Sequence, residues 1–181
     1  MSVYLDTCIV SEGLIASPNE EARLFNDVVA LLELAWKRNV RFVTSAKTRD
    51  ELAKIPDSKA AKRTLGLMLV TLLERVHHLT FVVEGGYGSS AYGQASYGGG
   101  SMESDETFDA LRRVFDEADA VHVFNAVKSK CAYFLTDDRR SILSRAKSQP
   151  TVVGAMCGDL KFVNVTDLSA ILAGELGLPS Q

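Results

Sequence analysis

The chain reads as an α/β fold, a single domain whose central parallel sheet carries helices on both faces. Short apolar runs at Val3-Tyr4-Leu5, Val40-Arg41-Phe42-Val43, Phe81-Val82-Val83, Tyr133-Phe134-Leu135 and Lys161-Phe162-Val163-Asn164-Val165 alternate with stretches of helical period. That alternation is the pattern of strands joined by crossover helices. A second observation is chemical. Asp6 and Asp138 stand just after apolar runs, while Glu51 and Asp119 lie in the helical stretches nearby. In such sheets functional side chains gather at the carboxyl ends of the strands.

A length of 181 residues fits one domain, 1–181, with an elaborated loop, and is enough to bury a core. The hydrophobic fraction of 46% and charged fraction of 24% exclude a disordered chain. A net charge of -3 excludes nucleic-acid binding by bulk charge but leaves room for a local basic patch. Cys8, Cys131 and Cys157 are odd in number and lack CxxC spacing, which points away from a disulfide framework or a zinc site and towards a reducing cytoplasm. No leader pattern precedes the first strand. Nor does any apolar run approach the roughly 18 residues of a membrane span, so no membrane partner is expected.

Taken in order, the first strand ends in Asp6-Thr7, and Ser17-Pro18-Asn19-Glu20 is a helix-start signal. Ala22, Phe25, Val29, Leu32 and Trp36 then recur at helical spacing, with Lys37-Arg38-Asn39 as the stop. After the strand at residues 40–43, Thr44-Ser45 can cap a helix carrying Glu51, which Pro56 follows. A second long helix is expected from about Ser58 to Leu79. Its stripe of Leu65, Leu69, Leu72, Val76 and Leu79, widened by Leu67, Met68, Val70 and Leu73, is read first as core and second as an interface for a dimer or partner. His77-His78 reads as a helix end.

Composition then changes. At about residues 85–102 the chain is rich in Gly, Tyr and Ser, which predicts a flexible insertion. Tyr87, Tyr92 and Tyr97 leave base stacking open there, while the GxxxxGK[ST] phosphate-loop pattern is missing. An acid-capped helix is expected from Asp105 to Phe115, continuing into the helix of Asp119. A helix or turn follows Asp138, and a final capped helix runs from Thr166 to Leu172.

Val3-Tyr4-Leu5-Asp6-Thr7, Ser45 through Glu51-Leu52, Asp119-Ala120-Val121-His122 with Ala126, and Tyr133-Phe134-Leu135-Thr136-Asp137-Asp138 resemble, in this order, the four acidic motifs of the PIN-domain nucleases, the group that includes VapC-type toxins. Two departures stand out: Cys8 sits where that family often has Asn, and the Gly/Tyr/Ser stretch is long. The resemblance implies a metal-dependent endoribonuclease in which Asp6, Glu51, Asp119 and Asp138 hold Mg²⁺ or Mn²⁺ and hydrolyse RNA phosphodiester bonds. It also implies Thr136 as a residue orienting a ligand or metal-bound water. Lys47, Arg49, Arg139 and Arg140, beside the acids, are the candidates for substrate phosphates. Its partners would be RNA, an antitoxin protein and a second copy of the chain. A catalytically silent PIN-like module that binds RNA or protein is the alternative.

Taken singly, the acids have plainer readings. Glu51 pairs as readily with Lys47 or Lys54, and Asp119 suits a first helical turn. Together they are like charges in one cleft, which a cation explains better than packing does. His122 is read as a satisfied core histidine, with the edge of the site as the alternative.

Overall fold

The computed structural model describes residues 1–13, 22–76, 80–82 and 105–174. The start signal at 17–20, His77-His78 and the insertion expected at about 85–102 lie outside these residues. Five parallel strands, β1 (Ser2–Leu5), β2 (Arg41–Ser45), β3 (Thr80–Val82), β4 (Tyr133–Leu135) and β5 (Lys161–Val163), form one sheet in the order β3-β2-β1-β4-β5. β1 is central and covered on both sides, which is why Val3, Tyr4 and Leu5 are all buried.

The two sides divide by alternation along each strand. Val3, Leu5, Phe42, Leu135 and Val163 face one core, with helices α1 (Ala22–Lys37), α3 (Ala60–Val76) and α8 (Val165–Gly174). Tyr4, Val43 and Phe134 face the other, with α4 (Glu106–Arg112), α5 (Glu117–Lys128), α6 (Ile142–Ser148) and α7 (Pro150–Cys157). On that second side Tyr4 stacks on Phe134 at 5.2 Å between ring centroids. α2 (Ala46–Ala53) follows β2 directly.

The chain returns from β3, on one edge, to β4, on the far side of β1. The crossovers therefore reverse direction between β1 and β4. A cleft opens at such a point because the helices on either side diverge.

Several expectations are corrected in detail. Trp36, assigned by its spacing to the buried stripe of α1, is 70% exposed, because the covered face runs through Val28, Leu31 and Ala35 and Trp36 stands about 100° round the helix from Ala35. On α3, Val70 and Leu73 are buried, but Leu65, Met68 and Leu72 are exposed, so the core reading holds for one face only. The Asp105 helix does not run on into the next. It ends at Arg112, and Asp116 stands at the cap of α5 in extended geometry. The last helix begins at Val165, where Asn164 Oδ1 accepts from the Asp167 amide at 2.8 Å, so Asn164 and not Thr166 is its cap. α7 was not foreseen.

Candidate active-site cleft

Each acid reaches the cleft through the element that carries it. Asp6 follows β1, its amide bonded to the Leu135 carbonyl at 3.1 Å, so the chain keeps pairing with β4 for one residue past the strand. Being next after Leu5, Asp6 falls on the α5 side of the sheet. Glu51 lies on α2, a mostly hydrophilic helix whose buried residues are Thr48 and Leu52. Asp119 lies in the first turn of α5, and Asp138 follows β4.

A continuous run of hydrogen bonds joins all four. Thr7 donates its amide to Asp6 Oδ1 at 2.8 Å and its hydroxyl to Glu51 Oε2 at 2.6 Å. On the other side, Thr136 Oγ1 donates to Asp6 Oδ2 at 2.6 Å and accepts from the Asp138 amide at 3.0 Å. Ser141 then bridges the last two acids: its amide donates to Asp138 Oδ1 at 2.8 Å and its hydroxyl to Asp119 Oδ2. The order is Glu51, Thr7, Asp6, Thr136, Asp138, Ser141, Asp119.

The electrostatics follow. The Asp119 carboxyl is raised, first by burial and then, against the Ser141 hydrogen bond, by the charges of Asp6, Asp138 and Asp116. Asp119 therefore senses two of the other three acids. Burial works to raise Glu51 as well, but the hydrogen bond and charge of His122, with Thr7 and Lys47, bring it below its ordinary value. Burial pushes the Cys8 thiol well up, and the charge of Asp6 adds to this. Cys8 Sγ lies 3.2 Å from both Asp6 Oδ2 and Thr136 Oγ1, so it fills the floor of the cleft as a neutral thiol.

Among the described residues, no three His, Cys, Asp or Glu side chains close around a common point. The donor set still fits a hard cation. Its donors are carboxylate oxygens, Asp119 bears the charges of Asp6 and Asp138, and Mg²⁺ is typically held by one or two carboxylates with water completing the shell. The described bonds of Asp138 and Asp119 engage one oxygen of each carboxylate.

The candidate substrate residues divide. Arg139 and Arg140 line a cleft of about 380 Å³ with Cys8, Asp137 and Asp138. Lys47 is half-buried near Glu51. Arg49 pairs with Glu74 on α3 at 2.8 Å, which holds its guanidinium towards that helix. Thr136 has no accessible surface, and its hydroxyl serves Asp6. Its place is behind the acids, where its bond orients the Asp6 carboxylate. Sequence reasoning missed Thr7, Ser141, Tyr4 and Ser45; the main signal available was adjacency to Asp6 for Thr7 and a place three residues after Asp138 for Ser141.

An all-parallel sheet with acids joined at its switch point defines an α/β protein built to bring carboxylates to a cleft. The chain belongs to the PIN-domain family, a family of nucleases, whose model matches residues 2–140. No curated protein and no solved structure matches it.

Proposed function

We propose that the protein is a metal-dependent endoribonuclease that hydrolyses RNA phosphodiester bonds at Asp6, Glu51, Asp119 and Asp138. The observation that carries this reading is the hydrogen-bonded run joining all four acids at the carboxyl ends of β1 and β4, within a PIN-domain chain. These four carboxylates would hold Mg²⁺ or Mn²⁺, which would supply an activated water and charge stabilisation for in-line displacement at phosphorus. Arg139 and Arg140 in the adjoining cleft, with Lys47, would contact substrate phosphates.

The proposal extends to a VapC-type toxin of the cytoplasm, restrained by an antitoxin protein or paired with a second copy. Three free cysteines support the reducing compartment. Among the described residues no helix is long and apolar enough to cross a membrane. The exposed stripe of Leu65, Met68 and Leu72 supports a protein partner.

The test is cleavage of a mixed panel of RNA and single-stranded DNA by the purified chain in Mg²⁺ or Mn²⁺, with EDTA and Asp6→Asn as controls. RNA cleavage that is lost in both controls and in Asp138→Asn, but kept in Asp137→Asn, is expected. Asp137 pairs with Arg139 at 3.4 Å, whereas Asp138 shares Ser141 with Asp119. RNA binding without cleavage under every metal condition would instead identify a catalytically silent module.

A further inference from the structure

His122 is a buried residue whose partners are unusual for a core histidine. It is 2% exposed, one helical turn beyond Asp119 on α5, and both ring nitrogens are engaged by side chains. Nε2 lies 3.0 Å from Glu51 Oε2, and since a carboxylate only accepts, Nε2 carries the proton and donates. Nδ1 lies 2.9 Å from the Tyr4 hydroxyl, which in turn donates to Ser45 Oγ at 2.9 Å. Ser45 stands at the N-cap of α2, yet its side chain makes no capping bond there. Its hydroxyl closes this chain instead.

We infer that His122 is a positioning residue that fixes the Glu51 carboxylate towards the cleft, with Tyr4 and Ser45 fixing the ring in turn. The inference rests on the metal site proposed above. Three observations carry it. Glu51 is a long, partly exposed side chain with several rotamers open to it, on a short helix. Its Oε2 is held by two donors from different elements, Thr7 after β1 and His122 on α5, which selects one rotamer and leaves Oε1 without a donor among the described residues. The ring itself cannot swing, because Tyr4 meets it edge-on at 5.9 Å and is locked in stacking on Phe134. Partners of this kind, one bond behind a metal ligand, typically alter metal affinity about 10- to 100-fold when removed.

The experiment uses the full chain and two readouts. The first is the ring N–H spectrum of ¹⁵N-histidine-labelled, metal-free protein. A protected N–H signal from His122 that moves in Glu51→Gln and in Tyr4→Phe is expected, and a His122 signal indifferent to Glu51 overturns the assignment. The second is Mn²⁺ affinity by calorimetry. His122→Ala is expected to weaken binding about tenfold or more. His122→Gln, which restores a donor near the Nε2 position, should recover most of the loss. Tyr4→Phe keeps the stacked ring and should lose a few-fold; it decides the matter if His122→Ala does not fold. Wild-type affinity in folded His122→Ala, or in Tyr4→Phe where the alanine variant is unfolded, overturns the inference. A wild-type chain that binds no Mn²⁺ overturns the metal reading, and the positioning role with it, even where the ring signal behaves as expected.

Discussion

Asp6 is 5% exposed, and at that depth each carboxylate oxygen needs a donor. Oδ1 receives the Thr7 amide, while Oδ2 receives the Thr136 hydroxyl at 2.6 Å and the weaker Cys8 thiol. Replacing Thr136 by Val keeps the shape, removes the strongest donor to Oδ2 and leaves the Asp138 amide without its acceptor. Hydrogen bonds to charged groups contribute about 1.5–3 kcal/mol, so Thr136→Val should lower unfolding free energy by roughly that amount in urea titration, with Thr136→Ser close to wild type. A valine variant within about 0.5 kcal/mol of wild type, the range of an ordinary surface change, would contradict this role for the hydroxyl. The acids could be found in the sequence because Asp6 and Asp138 follow strands, Asp119 stands in a first helical turn, and Glu51 lies on the helix that follows β2 directly. Their partners could not. A threonine after an acid and a histidine inside an apolar helix look the same whether they face a core or a carboxylate, and only the packing of α5 against β1 and β2 distinguishes them for His122.

At the scale of elements, α2 shows how lightly the second acid is anchored. Of its eight residues only Thr48 and Leu52 are buried, and Leu52 is fully enclosed in the core beside α3. Leu52→Ala removes most of the apolar anchorage of the helix that carries Glu51. It is expected to cost about 2–5 kcal/mol by chemical denaturation and to weaken Mn²⁺ binding in the same protein. Unchanged metal affinity in a destabilised variant would show that Thr7 and His122 hold Glu51 without the helix. Period and punctuation made most helices legible, including the stop after α1, where Asn39 takes a left-handed φ of 54°. They did not reveal which face would be covered. Leu65, Met68 and Leu72 share the spacing of core leucines, yet cover depends on what packs against α3 and not on the helix itself. α7 escaped notice because Val152, Val153 and Met156 form too short an apolar pattern to stand out after Pro150.

For the molecule as a whole, strand–helix alternation implied a parallel sheet, but strand order depends on a pairing between β1 and β4 separated by more than half of the chain. That pairing creates the cleft, and with it a charge cost that the whole fold bears. Asp119 is raised by burial and by Asp6, Asp138 and Asp116. A raised folded-state value means that its contribution to stability is fully present below the ordinary 3.8 and is lost as pH rises through the folded-state value. Glu51 has the opposite sign: its folded-state value is lowered, so its contribution is present above the ordinary 4.5 and is lost as pH falls through the lowered value. At neutral pH the metal-free fold therefore bears the Asp119 cost in full. Asp119→Asn removes the charge while its amide oxygen still accepts from Ser141, so in EDTA at neutral pH the variant should melt above wild type. The gap should close below pH 3.8, where the wild-type carboxyl is protonated in both states. Saturating Mn²⁺ should reverse the order, because a cation at a hundredfold its dissociation constant stabilises the chain that binds it by about 2.7 kcal/mol and the variant lacks one of the ligands. Equal Mn²⁺-induced shifts in the two proteins would remove Asp119 from the metal site, and a variant that melts below wild type in EDTA would mean that the Ser141 hydrogen bond outweighs the repulsion.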